Sequence, residues 1–249
     1  MTHAVTMARR GDKKRIGILQ TDHTPSELIA KHGDYNDFFI RSLADERLDF
    51  DTYAVVDGVF PTRITDADGW LVTGAKYAAY EQHDWISKLE RLIREIYDAR
   101  MPMVGVCFGH EIIAQALGGR VEKAKRGWTV GPIDYERSDL KRTQTIIAWH
   151  QDQVTVRPPP AELIGSSADC ENAVLRYGLT VLTYQGHPEI TPAYLRDLLQ
   201  LQGQHLSETD RQNVLGTADA CLSTADIILE IKELFLRAHQ MMSPQVDGR

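Results

Sequence analysis

Residues 103–110 read Met-Val-Gly-Val-Cys-Phe-Gly-His. The run 103–106 is short, apolar and of the length expected for a buried strand. Cys107 follows at once, with Gly105 and Gly109 on either side. Ile112, Ile113, Ala116 and Leu117 then recur at helical spacing. This order puts one thiol on a sharp strand-to-helix turn, the geometry of a nucleophile elbow. A side chain there is exposed at the carboxyl edge of a sheet, and the first amides of the following helix favour a thiolate and a developing oxyanion. Hydrolysis or acyl transfer is the chemistry such a turn serves.

Outward from this turn the pattern alternates. Residues 15–20, 50–56 and 69–74 read as strands, and residues 34–43 and 85–97 as amphipathic helices, the second carried by Trp85, Leu89, Leu92, Ile93 and Ile96. Strands alternating with helices predict βαβ units and an α/β fold, a three-layer structure on a mostly parallel sheet. Between 120 and 185 the character changes. Strand-like pieces at 128–135, 145–149, 173–177 and 180–184 predict antiparallel additions. From Pro192 the chain reads as helical, over 194–201 and again, after a polar stretch, over 218–238. Residues 1–14 read as a disordered leader and 15–240 as a single domain.

The composition bounds what this domain does. The 249 residues are 43% hydrophobic and 25% charged, as in ordinary globular proteins, and the net charge is −7. Basic residues cluster only in the leader, which argues against a nucleic-acid partner. No apolar run approaches the roughly 18 residues of a membrane span, and the first fifteen residues lack the apolar core of a secretory signal. Cys107, Cys170 and Cys221 are odd in number and unpaired in spacing. They point away from a disulfide framework and toward the reducing cytoplasm. Cys170 and Cys221 read as small apolar residues. His150 and Asp152 have no third ligand at metal-site spacing, so no metal is expected. No phosphate-binding loop is present, and no cofactor is expected.

A second constellation lies at 183–189, Thr-Tyr-Gln-Gly-His-Pro-Glu. In extended backbone, residues two apart face the same side, and Pro188 biases His187 toward that conformation. Glu189 is thereby placed to hold the His187 imidazole. Cys107 as nucleophile, His187 as proton carrier and Glu189 as orienting group make a complete triad.

Taken together, residues 105–110 and 185–189 resemble the nucleophile and His-Pro-Glu motifs of the class I, triad-type glutamine amidotransferases, and their separation of 80 residues fits. Residues 71–75 stand where that family has a glycine-containing oxyanion loop. Residues 149–154 resemble its substrate-holding segment. The resemblance covers roughly residues 15–200. It implies an oxyanion hole made by the amide of Phe108 and one in the Gly74–Ala75 turn, substrate contacts from Gln151 and Asp152, and a γ-glutamyl thioester on Cys107 that water releases as glutamate. The pattern is similar to GMP-synthase-type amidotransferase domains found as isolated proteins and to γ-glutamyl peptidases.

Two departures bear on substrate. Glu111 stands where the family has a substrate-contacting glutamine, and an ionised carboxylate accepts hydrogen bonds but donates none. The loop reads Thr73-Gly74-Ala75-Lys76 instead of Gly-Gly-Pro. Lys76 is either a surface residue or a contact to a substrate carboxylate. The leading expectation is a free-standing hydrolase of a small γ-glutamyl amide, amine or peptide. The alternatives are an ammonia-donating subunit of a separate synthetase, or a non-catalytic regulatory protein on the same fold.

Overall fold

A computed structural model describes residues 13–217 and 221–237. Eleven strands lie among these residues. They are β1 (Lys14–Gln20), β2 (Leu48–Ala54), β3 (Gly69–Val72), β4 (Met103–Val106), β5 (Arg120–Lys123), β6 (Thr129–Arg137), β7 (Arg142–His150), β8 (Asp152–Val156), β9 (Ala161–Ser166), β10 (Val174–Tyr177) and β11 (Val181–Tyr184). The helices are α1 (Ser26–His32), α2 (Tyr35–Leu43), α3 (Asp84–Asp98), α4 (Phe108–Ala116), α5 (Pro192–Gln202), α6 (Glu208–Thr217) and α7 (Thr224–Arg237).

Nine strands form one sheet in the order β2-β1-β3-β4-β11-β10-β9-β6-β7, and β5 and β8 pair separately. Strands β2, β1, β3, β4 and β11 are parallel to one another. Strands β10, β9, β6 and β7 extend the sheet by antiparallel pairing. The central strands are buried on both faces, and their side chains alternate between two cores. Ile16, Ile18, Leu71, Val104 and Val106 pack under α2 and α7 with Phe39, Ile231 and Phe235. Leu19, Trp70, Val72 and Met103 pack under α3 and α4 with Leu89, Ile93 and Ile112. The result is the three-layer α/β architecture that the alternating pattern predicts. The helix α5 adds a third cluster, in which Leu195 and Leu198 meet Phe38 and Ile147.

The differences from the sequence reading have local causes. Residues 180–184 were expected among the antiparallel additions. Their strand β11 does pair antiparallel with β10, but it runs parallel beside β4 in the centre of the sheet. A helix was expected over 218–238, whereas residues 221–223 are not helical. The Ser223 amide instead donates to the Thr145 carbonyl (2.8 Å) and Ser223 Oγ accepts from the Thr145 amide (3.0 Å), so α7 starts one residue later. Residues 218–220 and 238 lie outside the described residues. Within the polar stretch, residues 208–217 form α6, and α1 was likewise not read from the sequence. The expected leader lies outside the described residues up to residue 12, and Lys14 already opens β1.

A buried polar network locks α7 to the sheet. The Arg137 guanidinium donates to Glu230 (2.8 Å) and Asp139 (3.0 Å), and Tyr184 Oη donates to Glu230 (2.6 Å). A buried cation persists only when so paired. The network holds β11 at Tyr184, its last residue, beside Val106 and the Cys107 elbow.

Candidate active site

The elbow is built as its sequence demands. Strand β4 stops at Val106, α4 starts at Phe108, and Cys107 between them takes φ 53° and ψ −111°. A non-glycine residue at positive φ is a strained turn held by its surroundings. Close packing enforces it: a Cβ on Gly109 would lie 2.2 Å from the carbonyl oxygen of Val72, so only glycine lets α4 sit this near β3. The Cys107 amide donates to the Tyr184 carbonyl at 2.8 Å, and the Cys107 carbonyl accepts from the Glu111 amide at 3.0 Å.

Because β11 lies parallel beside β4, the chain leaving Tyr184 brings His187 to the same sheet edge. The His187 amide donates to the Ile147 carbonyl at 2.7 Å, which ties this segment to β7. His187 Nδ1 and Glu189 Oε1 are 2.7 Å apart, a hydrogen bond in which the ring N–H donates to the carboxyl oxygen. His187 Nε2 has no hydrogen-bond partner among the described residues. Burial opposes charge on this imidazole, but Glu189 and Cys107 outweigh it and hold its pKa well above the ordinary value. Burial pushes the Cys107 thiol up, and the neighbouring His187 pulls it back. An isolated thiolate is therefore disfavoured here, and His187 is the neighbour that counters the effect of burial.

The loop after β3 closes the third side. A Cβ on Gly74 would stand 3.0 Å from His187 Cε1 and 3.5 Å from Cys107 Cβ, so the bare backbone of Gly74 packs against both. Thr21 and Asp22, just beyond β1, fix this loop. Thr21 Oγ1 donates to the Gly74 carbonyl (2.9 Å), and Asp22 accepts from the Lys76 amide (2.9 Å) and the Lys76 ammonium (3.0 Å). The amides of Gly74, Ala75 and Phe108 have no hydrogen-bond partner among the described residues. The Phe108 side chain points away and packs on Trp85, ring centroids 5.6 Å apart.

These residues border a cavity of about 460 Å³. Cys107, His187, Glu189, Gly74, Ala75, Glu111, Gln151 and Asp152 line it together, with Lys76 and Tyr77. Lys76 donates to Asp22 while its side chain stays largely exposed, so the ammonium keeps further donors for a ligand in the cavity. Tyr80 donates to Asp152 at 3.3 Å. Burial raises the Asp152 carboxyl above its usual range. Glu111, read from the sequence as a carboxylate, is strongly affected by burial. It is 3% exposed, and burial lifts its pKa to about 8 against a single hydrogen bond from Gln185 Nε2 (2.8 Å). At neutral pH this side chain is mostly a neutral acid that donates as well as accepts. His110 is buried, meets Thr183 Oγ1 at 2.8 Å, and is pushed by burial down to about 3; His150 falls to about 4. Both are neutral.

Sequence reading missed Thr21 and Asp22, whose partners are about fifty residues away, and the cavity's aromatic residues Trp128 and His205. No local motif marks any of them. Among the described residues no group of three or more His, Cys, Asp or Glu is arranged to hold a metal ion, and no helix is long and apolar enough to cross a membrane.

Comparison with known proteins agrees with this architecture. The chain is similar to a glutamine amidotransferase of Thermotoga maritima (TM-score 0.71, 19% identity, 94% of this chain and 100% of that one). It is also similar in fold to a glutamine amidotransferase of Methylobacillus flagellatus (TM-score 0.70, 18% identity, 92% and 94%). In sequence it is 32% identical to gamma-glutamyl peptidase 4 of Arabidopsis thaliana, over 80% of this chain and 85% of that one. It is 26% identical to a GMP synthase of Alkaliphilus metalliredigens, over 64% of this chain but 31% of that one. The family model described as glutamine amidotransferase class-I matches residues 34–199, most of the α/β core just described, and the chain belongs to that family.

Proposed function

We propose that the chain is a cysteine-dependent hydrolase of γ-glutamyl amides that works through a γ-glutamyl thioester on Cys107. The observation that carries this reading is the meeting of Cys107, on its strained elbow, with the His187–Glu189 pair at the edge of one cavity. His187 turns an unpartnered Nε2 toward a site where a proton must move twice.

In the first half-reaction Cys107 Sγ attacks the γ-carbonyl carbon as His187 Nε2 takes the thiol proton. The unpartnered amides of Gly74 or Ala75 and of Phe108 are the donors for the oxyanion. As the intermediate collapses the C–N bond breaks, and His187 gives its proton to the leaving nitrogen. In the second, water attacks the thioester carbon while His187 accepts its proton. The C–S bond then breaks, the thiol regains the proton, and glutamate leaves. Glu189 holds one ring tautomer and supports the imidazolium throughout. Lys76, Gln151 and Asp152 are the polar groups available to the α-carboxylate and α-ammonium of the γ-glutamyl half.

Similarity to gamma-glutamyl peptidases over most of their length, against a third of a GMP synthase, favours a hydrolase acting by itself over an ammonia-donating subunit. The retained Cys107, His187 and Glu189 argue against a non-catalytic role. The odd number and unpaired spacing of Cys107, Cys170 and Cys221 support a place in the cytoplasm.

The test is amine or ammonia release from glutamine, γ-glutamyl amines and γ-glutamyl peptides, with Cys107→Ala alongside. Cysteine-dependent release, with a γ-glutamyl mass added to Cys107 in quenched samples, is the expected outcome. Equal release by the variant removes the mechanism; release that requires an added synthetase moves the chain to the subunit reading.

A further inference from the structure

One part of the cavity has no task in that mechanism. Trp128, just before β6, and Trp149, on β7, stand with ring centroids 6.0 Å apart at 60°. His205, on the short turn after α5, lies 4.4 Å from Trp128 and 6.4 Å from Trp149. The paired strands β6 and β7 and the turn after α5 thus meet in one aromatic wall, and Leu198 and Leu201 of α5 continue it. Both tryptophans are only partly buried.

Size and chemistry restrict what this wall receives. A cavity of about 460 Å³ is far more than glutamine needs, since its leaving group is ammonia. Every γ-glutamyl substrate carries an ammonium and a carboxylate on its α-carbon. Such charges are costly against apolar walls and belong with Lys76, Gln151 and Asp152. The wall is then left for the other half of the substrate. None of its five residues is acidic or a permanent cation, so it has no countercharge for an ionised leaving group. Its rings border the cavity, and aromatic rings suit stacking.

We infer that Trp128, Trp149 and His205 form a leaving-group subsite, and that the preferred substrates are γ-glutamyl conjugates of aromatic amines. This rests on the γ-glutamyl hydrolase reading above, and names its substrate class. The bond broken is still the γ-amide C–N bond; the amine leaves with the proton from His187, and water supplies the hydroxyl of glutamate.

The experiment separates the two claims by measuring binding and turnover independently. Binding of γ-glutamyl-phenethylamide, γ-glutamyl-ethylamide and γ-glutamyl-putrescine to the Cys107→Ala protein is followed by calorimetry. The phenethylamide is expected to bind at least about tenfold more tightly than either other conjugate, as stacking and burial of one ring imply. Trp149→Ala and Trp128→Ala are expected to shrink that preference to about threefold or less, and the Trp→Phe variants to restore it. Equal affinity for the three, preference for the putrescine conjugate, or no detectable binding overturns the subsite. Preference that survives both alanine variants, shown folded by circular dichroism, overturns it as well. Tight phenethylamide binding without turnover by the unsubstituted protein overturns the hydrolase reading and leaves the subsite standing.

Discussion

The backbone amide of Cys107 donates to the carbonyl of Tyr184 at 2.8 Å. This bond extends the parallel register of β4 and β11 by one residue, past Val106 opposite Tyr184. It places the thiol and the chain leading to His187 at one sheet edge. Residues 80 apart in sequence therefore meet, and the Arg137–Glu230–Tyr184 network ties down the end of β11.

Cys107→Ala is expected to lower turnover of any γ-glutamyl substrate by at least about 10³-fold while leaving the fold intact. Amine release and thermal unfolding check both parts. Turnover at the original rate would show that the nucleophile lies elsewhere.

Glu189→Gln keeps the size of the side chain but changes what His187 Nδ1 meets at 2.7 Å. An amide there supports imidazolium poorly and tolerates the wrong tautomer. A fall in kcat of about 10²- to 10⁴-fold is expected, with KM changed little. A loss confined to KM would make Glu189 a binding group.

Glu111 gives a pH-dependent stability with a defined sign. Below its ordinary pKa of 4.5 the acid is protonated in both folded and unfolded chains. From there to about 8 only the unfolded chain releases the proton, so this group makes folding stability fall as pH rises; above about 8 the loss levels off. Glu111→Gln removes the effect. In urea unfolding, the variant's gain over the unsubstituted protein should grow from near zero around pH 4.5 to on the order of a few kcal/mol around pH 8. A gain independent of pH would mean that Glu111 is ionised in the folded protein. The same substitution is expected to move substrate preference toward free glutamine. An unchanged ranking of substrates would free Glu111 from any part in specificity.

Gly109→Ala drives a methyl group against the Val72 carbonyl, 2.2 Å away, where backbone must shift on one side or the other. A destabilisation of about 2–3 kcal/mol is expected from such overpacking, with activity lost as the elbow deforms. Chemical denaturation measures it. A neutral result would show that α4 can slide away from β3.

Asp22→Ala removes the carboxylate that ties the Lys76 amide and ammonium, and so loosens the loop carrying Gly74 and Ala75. A fall in kcat of roughly tenfold, larger than any change in KM, is expected of a residue that positions oxyanion donors. An effect on KM alone would assign Asp22 to holding Lys76 for the substrate.

The sequence by itself determined what depends on neighbours along the chain. The apolar run 103–106, the glycines around Cys107 and the helical spacing after it required an elbow, because only small residues let a helix turn back so sharply onto a strand. His187, Pro188 and Glu189 specified their own pairing, since extended backbone puts alternate side chains on one side. The alternation of strand and helix periods fixed the α/β class. The tertiary structure alone decided that β11 lies parallel beside β4, that Thr21 and Asp22 brace the loop at Gly74, and that α5 carries His205 back to Trp128 and Trp149. It also raised the pKa of Glu111, because a carboxyl group's protonation follows how completely the fold removes water from around it. Sheet order, long-range bracing and burial are sums over contacts between residues tens of positions apart, and such sums leave no period or motif in any one stretch of the chain.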